Sequence, residues 1–199
     1  MTQQAILFDL DGVLIDSKEV WFSLMNSTAS HFGHPEVTRE RMKEVWGSGV
    51  SEDADALFPG TTVAQVEAYY NAHFMDYVDQ IIVTPNAGQV MERLTQEGIK
   101  YAVVTNTPHE AARKILDSAK LIAPVVVGGT DAPRPKPAPD MLLLAMELLA
   151  VQPENAIMVG DTRYDREAAQ AAGVRFAGFG IEGDVTLQNL EELFQHLRS

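Results

Sequence analysis

The chain has no cysteine among its 199 residues. That excludes a disulfide framework, thiolate metal sites and a cysteine nucleophile. Basic side chains are scarce: 15 Lys and Arg face 28 Asp and Glu, a formal net charge of −13. Such a balance repels the phosphates of nucleic acids, so no nucleic-acid partner is expected, and any anionic ligand needs a local positive site. No uncharged stretch approaches the ~20 residues of a membrane span, so no membrane partner is expected either. Met1 to Gln4 lack a basic leader, and Asp9 and Asp11 interrupt the apolar run that follows. This argues against a secretory signal and for a cytoplasmic location. Repeats and low-complexity segments are absent as well.

What is present is an ordinary globular composition, 46% hydrophobic and 22% charged, at a length that suits one domain carrying a smaller insertion. Ala5 to Phe8 is a short apolar run without alternation, ending at Asp9-Leu10-Asp11-Gly12, which predicts a buried strand stopping at a polar turn. From Asp16 to Gln80 the texture is helical. Lys18 to Phe32 carries Val20, Trp21, Leu24, Met25 and Thr28 at helical spacing. Thr38 is placed to cap a helix over Arg39 to Trp46, broken by Gly47-Ser48-Gly49, and Thr62 to Val78 predicts another long helix. No strand is evident in this region.

From Ile81 the rhythm is strand and helix in alternation. Strands are expected at Tyr101 to Val104, Val125 to Val127, Ala156 to Val159 and Arg175 to Phe179. Helices are expected at Pro85 to Gly98, Pro108 to Ala119, Asp140 to Ala150, Arg166 to Ala172 and Thr186 to Leu197. The expected fold class is α/β, a doubly wound, Rossmann-like parallel sheet interrupted by an inserted α-helical module. The core would comprise residues 1–15 and 81–199, and the insert residues 16–80.

In open α/β sheets ligands bind beyond the carboxyl ends of the strands. Polar groups fall there repeatedly: Asp9 and Asp11 after the first strand, Thr105 and Asn106 after the second, Lys136 in the loop after the third, and Asp161 and Asp165 after the fourth. Read singly, each has a plain structural account. Asp-x-Asp-Gly suits a strand-to-turn transition, Asp165 suits a helix N-cap, and Lys136 suits a solvated loop. Their joint placement points to chemistry. Carboxylates brought together repel unless a cation is present, and an all-oxygen site suits Mg²⁺. A lysine and a hydroxyl supply donors for phosphate oxygens, while a carboxylate can attack phosphorus.

The segments Asp9-Leu10-Asp11-Gly12-Val13-Leu14-Ile15-Asp16-Ser17, Val104-Thr105-Asn106, Arg134-Pro135-Lys136-Pro137 and Gly160-Asp161-Thr162-Arg163-Tyr164-Asp165 resemble the four motifs of the haloacid dehalogenase-like hydrolases. The likeness is nearest to the phosphoglycolate phosphatase-like branch with a small helical cap. It implies a Mg²⁺-dependent phosphatase acting on small phosphorylated metabolites through an aspartyl-phosphate, as a monomer or homodimer. Asp9 would be nucleophile and metal ligand. Asp11 would be the general acid/base and touch the metal through its carbonyl. Thr105, Asn106 and Lys136 would hold the phosphoryl group, Asp161 would ligate the metal, and Asp165 would bind it through water or orient Lys136.

Rival branches fit less well. Dehalogenases lack the second motif aspartate, and phosphonoacetaldehyde hydrolases need a cap lysine in a setting that Lys18 and Lys43 do not offer. β-Phosphoglucomutases usually carry Ser-Ala-Ser where this chain has Thr-Asn, but a mutase-type phosphoryl transferase stays open. So does a phosphorylatable receiver-like module or a non-catalytic binding protein, although receivers carry no helical insert. Within the insert, Trp46-Gly47-Ser48-Gly49 is the candidate specificity loop, since glycines allow close approach to a ligand. Arg39, Arg41 and Lys43 near it read chiefly as a solvated face, and the five histidines show no ligand spacing.

Overall fold

The computed structural model describes residues 4–197. At its centre is β1 (Ala5–Phe8), whose four residues are all buried. It pairs in parallel with β4 (Lys100–Val104) on one side and β6 (Ala156–Gly160) on the other, Phe8 standing opposite both Val103 and Val159. With β5 (Val126–Val127), β7 (Arg175–Phe179) and β8 (Val185–Leu187) they form a six-stranded sheet in the order β5-β4-β1-β6-β7-β8, every pair parallel. Crossovers between parallel strands need helices, and these cover both faces: α5 (Ala87–Gln96), α6 (His109–Ala119), α7 (Asp140–Leu149) and α8 (Arg163–Ala172).

The sheet's period of two sorts the core into halves. Ala5, Leu7, Ala102, Val104 and Met158 pack with Met141, Ala145 and Ala168 of α7 and α8. Ile6, Phe8, Val103, Ile157 and Val159 face the other way, onto Val90 of α5 and Ile115 of α6. Strands buried on both faces explain the unbroken apolar runs of the sequence.

Between β2 (Ile15–Asp16) and β3 (Ile82–Val83), an antiparallel two-residue ribbon, lie four helices: α1 (Lys18–Phe32), α2 (Arg39–Val45), α3 (Val50–Leu57) and α4 (Val63–His73). Thr38 caps α2 as expected, accepting a bond from the Arg41 amide at 3.3 Å. The aromatic spacing resolves into core: Trp21 meets Tyr70 and Phe74 edge to face, with centroids 5.4 and 5.2 Å apart. No described helix is long and apolar enough to cross a membrane.

Four expectations are corrected, and one helix is added. The ribbon is a pair of strands where none was expected. Val50–Leu57 is a helix, begun where Gly49 adopts an extended conformation. The pattern from Thr62 is α-helical only to His73 and continues as a 3-10 helix, Phe74–Gln80. Helix α8 starts three residues early, at Arg163, because Thr162 and Asp165 form a capping box. The expected terminal helix from Thr186 to Leu197 is instead β8 followed by a 3-10 helix, Leu190–Gln195. Thr186 lies in a strand because Val185 and Leu187 extend the sheet beyond β7, with Leu187 fully buried. Truncation by Leu187→Ala is therefore expected to cost ~2–5 kcal/mol, read as a lowered denaturation midpoint. A loss within a few tenths of a kcal/mol would contradict a core position for this residue.

Candidate active site

Because β4, β1 and β6 are adjacent and parallel, their carboxyl ends bring Asp9, Thr105 and Asp161 to one edge of the sheet. The loop after β5 returns Lys136 to the same edge. Lys136 is only 2% exposed, and its ammonium sits between two carboxylates, 2.8 Å from Asp9 Oδ1 and 2.6 Å from Asp165 Oδ1. Its third bond goes to the Val104 carbonyl at 2.9 Å, so all three donors are used. Burial alone would lower the Lys136 pKa, but the charges of Asp165 and Asp9 outweigh it and raise the pKa above the usual lysine value. Lys136 is thus a fixed cation.

Asp165 is fixed in turn by the start of α8. Its Oδ2 accepts from the Thr162 amide at 3.1 Å and the Thr162 hydroxyl at 2.6 Å. Asn106 holds the lysine loop. Its Oδ1 accepts the Lys136 amide at 2.8 Å, and its Nδ2 donates to the Lys136 carbonyl at 2.9 Å. The same Nδ2 donates to the Gly47 carbonyl at 2.9 Å, tying the sheet edge to the helical segment. The Asn106 side chain is thereby spent on positioning.

Asp9, Asp161 and Asp165 each offer a carboxylate oxygen within 4.8 Å of the others. Burial, followed by the charge of Asp165, raises Asp9 well above the ordinary carboxylate value. The same causes push Asp161 up to about 6. Lys136 alone cannot balance three carboxylates. Asp161 Oδ1 is the telling atom, buried with no hydrogen-bond partner among the described residues. An orphaned buried carboxylate oxygen beside two other carboxylates fits a hard divalent cation. Gly12 makes room for the Asp161 carboxylate: at φ +88°, a Cβ on this residue would lie 2.1 Å from Asp161 Oδ2.

The Asp11 side chain lies outside that group of three. Its Oδ1 accepts from the Trp21 indole at 2.9 Å and from the Ser17 hydroxyl. Its Oδ2 accepts from Thr107 at 2.7 Å and from Thr105 at 3.4 Å. Thr105 is buried and also receives the Thr107 amide at 3.1 Å. Ser17, Trp21 and Thr107 were not singled out by the sequence as site residues. Of these contacts to Asp11, the two threonine links join residues at neighbouring strand ends, so Thr107 could have been found by extending the second motif by one residue.

From the helical segment, the loop Trp46-Gly47-Ser48-Gly49 does reach the site. Trp46 Nε1 donates to Asp161 Oδ2 at 3.4 Å. Gly47, at φ +82°, leaves no space for a side chain, since a Cβ would come 2.7 Å from Thr162 Cγ2. Gly49 approaches Pro135 as closely as 3.3 Å from the position of a Cβ. Ser48 donates to Asp53 Oδ1 at 3.0 Å. Trp46, Gly47 and Ser48 of this loop line a cavity of about 50 Å³, together with Asp9, Asp11, Thr105, Lys136 and Asp53 among others. Arg39 and Arg41 are turned away into exposed pairs with Glu19 and Glu44. None of the five histidines lines the cavity.

Residues 6–179 match the haloacid dehalogenase-like hydrolase family, and the chain belongs to it. Among its relatives, phosphoglycolate phosphatase 1 of Pseudomonas aeruginosa is 32% identical over 188 residues, 86% of this chain and 67% of that protein. Phosphoglycolate phosphatase of Aquifex aeolicus is 31% identical over 179 residues, 87% of this chain and 83% of the other. Among solved structures, CbbY of Rhodobacter sphaeroides in complex with phosphate superposes with a TM-score of 0.84 at 25% identity, covering 96% of each chain.

Asp53 was not anticipated as a site residue. Burial pushes its carboxyl from 3.8 up to about 7, against the bonds from Ser48 and Tyr70 that oppose the rise. Below the unfolded pKa the group is neutral in folded and unfolded chains alike. As pH rises from about 4 toward 7 the unfolded chain ionises first, so folding loses stability through this window. Asp53→Asn should therefore gain on the parent chain by about 2 kcal/mol more at pH 8 than at pH 5. Thermal melts at the two pH values check this, and an equal difference at both would contradict it.

Proposed function

We propose that this chain is a Mg²⁺-dependent phosphatase of small phosphorylated metabolites, working through an aspartyl-phosphate on Asp9, with residues 16–80 as a cap over the core. The observation that carries the reading is the pairing of Asp9 with Lys136 beside the unpartnered buried oxygen of Asp161. The names of the related phosphatases support the substrate class.

Asp9 Oδ1 is held by Lys136, which leaves Oδ2 to attack phosphorus. The Oδ2–P bond forms as the bond from phosphorus to the ester oxygen breaks, and Asp11 delivers a proton to the departing alkoxide. Water then attacks the phosphoryl group, returns a proton to Asp11 and releases inorganic phosphate with Asp9 restored. Thr105 holds a phosphoryl oxygen where charge develops, and Lys136, its three donors committed to Asp9, Asp165 and the Val104 carbonyl, stabilises that charge as a fixed neighbouring cation. Asp9, Asp161 and the Asp11 carbonyl would hold Mg²⁺, with Asp165 near enough to act through water. The ion supplies charge neutralisation for an otherwise repelled phosphate. Trp46 to Gly49 restrict water at the reacting centre and set the space for the leaving alcohol.

Phosphate release from an aryl phosphate, with Mg²⁺ or with EDTA, tests the reading. Turnover should need the metal, vanish in Asp9→Asn, and fall by on the order of 10²–10⁴ in Asp11→Asn. Transfer between sugar hydroxyls without release would replace hydrolysis by a mutase reaction. Metal binding has a separate readout. Saturating Mg²⁺ should raise the melting temperature of the parent chain, by the equivalent of about 2.7 kcal/mol at a hundred times Kd, and leave Asp161→Asn unmoved. An equal rise in both would remove Asp161 from the ligand set.

A further inference from the structure

The cavity is lopsided in charge. Its charged lining groups are Asp9, Asp11, Asp53 and Lys136, and Lys136 already serves Asp9 and Asp165. Asp53 is the carboxylate contributed by the helical segment, from the first turn of α3, and it is 5% exposed. Its two oxygens accept one bond each, from Ser48 at 3.0 Å and from Tyr70 at 3.2 Å. Both donors are neutral, and no ion pair among the described residues includes Asp53. A carboxylate has about four acceptor positions, so roughly half of them are left for a ligand.

The rest of the cavity on this side is apolar, from Trp21, Met25, Val45 and Val50. The other nearby cations do not line this cavity, although the charge of Lys18 is felt at Asp161. Lys18 stands over the Trp46 ring at 5.6 Å, and Lys43 lines the neighbouring cleft with Asp161 and Tyr164. A second anionic group on the substrate would meet Asp53 in a dry setting without a counter-charge. A hydroxyl or an ammonium would instead give the carboxylate the donor that burial denies it.

Resting on the phosphatase reading above, we propose that Asp53 selects the leaving alcohol: one that carries a hydroxyl or ammonium donor and no second acid group. Phosphoglycolate, whose leaving alcohol bears a carboxylate, is then a poor substrate although related proteins are named for it. The upward push that burial gives the Asp53 carboxyl agrees with an under-satisfied acceptor.

The test compares kcat/KM with Mg²⁺ for glycerol 3-phosphate, phosphoethanolamine, phosphoglycolate and an aryl phosphate, in the full chain and in Asp53→Asn. The parent chain should favour one of the two donor-bearing esters over phosphoglycolate by about tenfold or more, the ester that leads telling hydroxyl from ammonium. Asp53→Asn, which keeps the shape and removes the charge, should narrow that ratio about tenfold, with phosphoglycolate gaining. A parent chain that prefers phosphoglycolate while hydrolysing the aryl ester overturns this inference alone. So does an unmoved ratio in a variant that melts cooperatively. If Asp53→Asn does not fold, the parent ranking decides. Absence of turnover on every ester removes the phosphatase reading and this inference together.

Discussion

Everything at the carboxyl edge of the sheet depends on one ammonium buried between two carboxylates. Lys136 is held by Asp9 and Asp165 at 2.8 and 2.6 Å, and it is almost wholly removed from solvent. Taking these charges out of water is costly, and the cost is recovered only while each partner is present. Asp165 answers two demands: one oxygen holds the lysine and the other caps α8 through Thr162. The local geometry of a helix start thus decides the orientation of a cation that sits 29 residues earlier in the chain. Asn106 adds the backbone grip, so neither end of Lys136 is free to move.

The strand order explains why the constellation assembles at all. β1 lies between β4 and β6, and its carboxyl end is flanked by theirs at the same height, since Phe8 is in register with both Val103 and Val159. Asp9, Thr105 and Asp161 follow those strands directly, so their approach is set by sheet spacing rather than by loop conformation. The helical segment then enters and leaves through the short ribbon of β2 and β3, adjoining the turn that carries Asp11.

This division also explains what could be read beforehand. Asp9, Asp11, Thr105, Lys136, Asp161 and Asp165 were legible because each follows an apolar strand run that marks its place in a parallel sheet. Asp53 was not. It lies in the acidic run Ser51-Glu52-Asp53-Ala54-Asp55, and only tertiary packing buries Asp53 while Glu52 and Asp55 stay exposed. Ser17, Trp21 and Thr107 escaped for a related reason, since their shared target, Asp11, is a meeting point of three separate elements. The strand Val185–Leu187 was hidden by the acidic, helix-like pattern after it, and the sheet's open edge decided its pairing.

The cleft between Gly12 and Asp161 has a consequence for how the sequence can vary. The missing side chain at one position is the volume that the carboxylate occupies at the other. The two positions share a single space, so substitutions at them do not combine independently. A larger residue at 12 becomes sterically admissible only in a background where 161 has already shrunk, and the left-handed backbone at Gly12 would still resist it. A neutral path that changes one of these residues first is closed from the glycine side and, if Asp161 ligates the cation, open from the other only through loss of the metal.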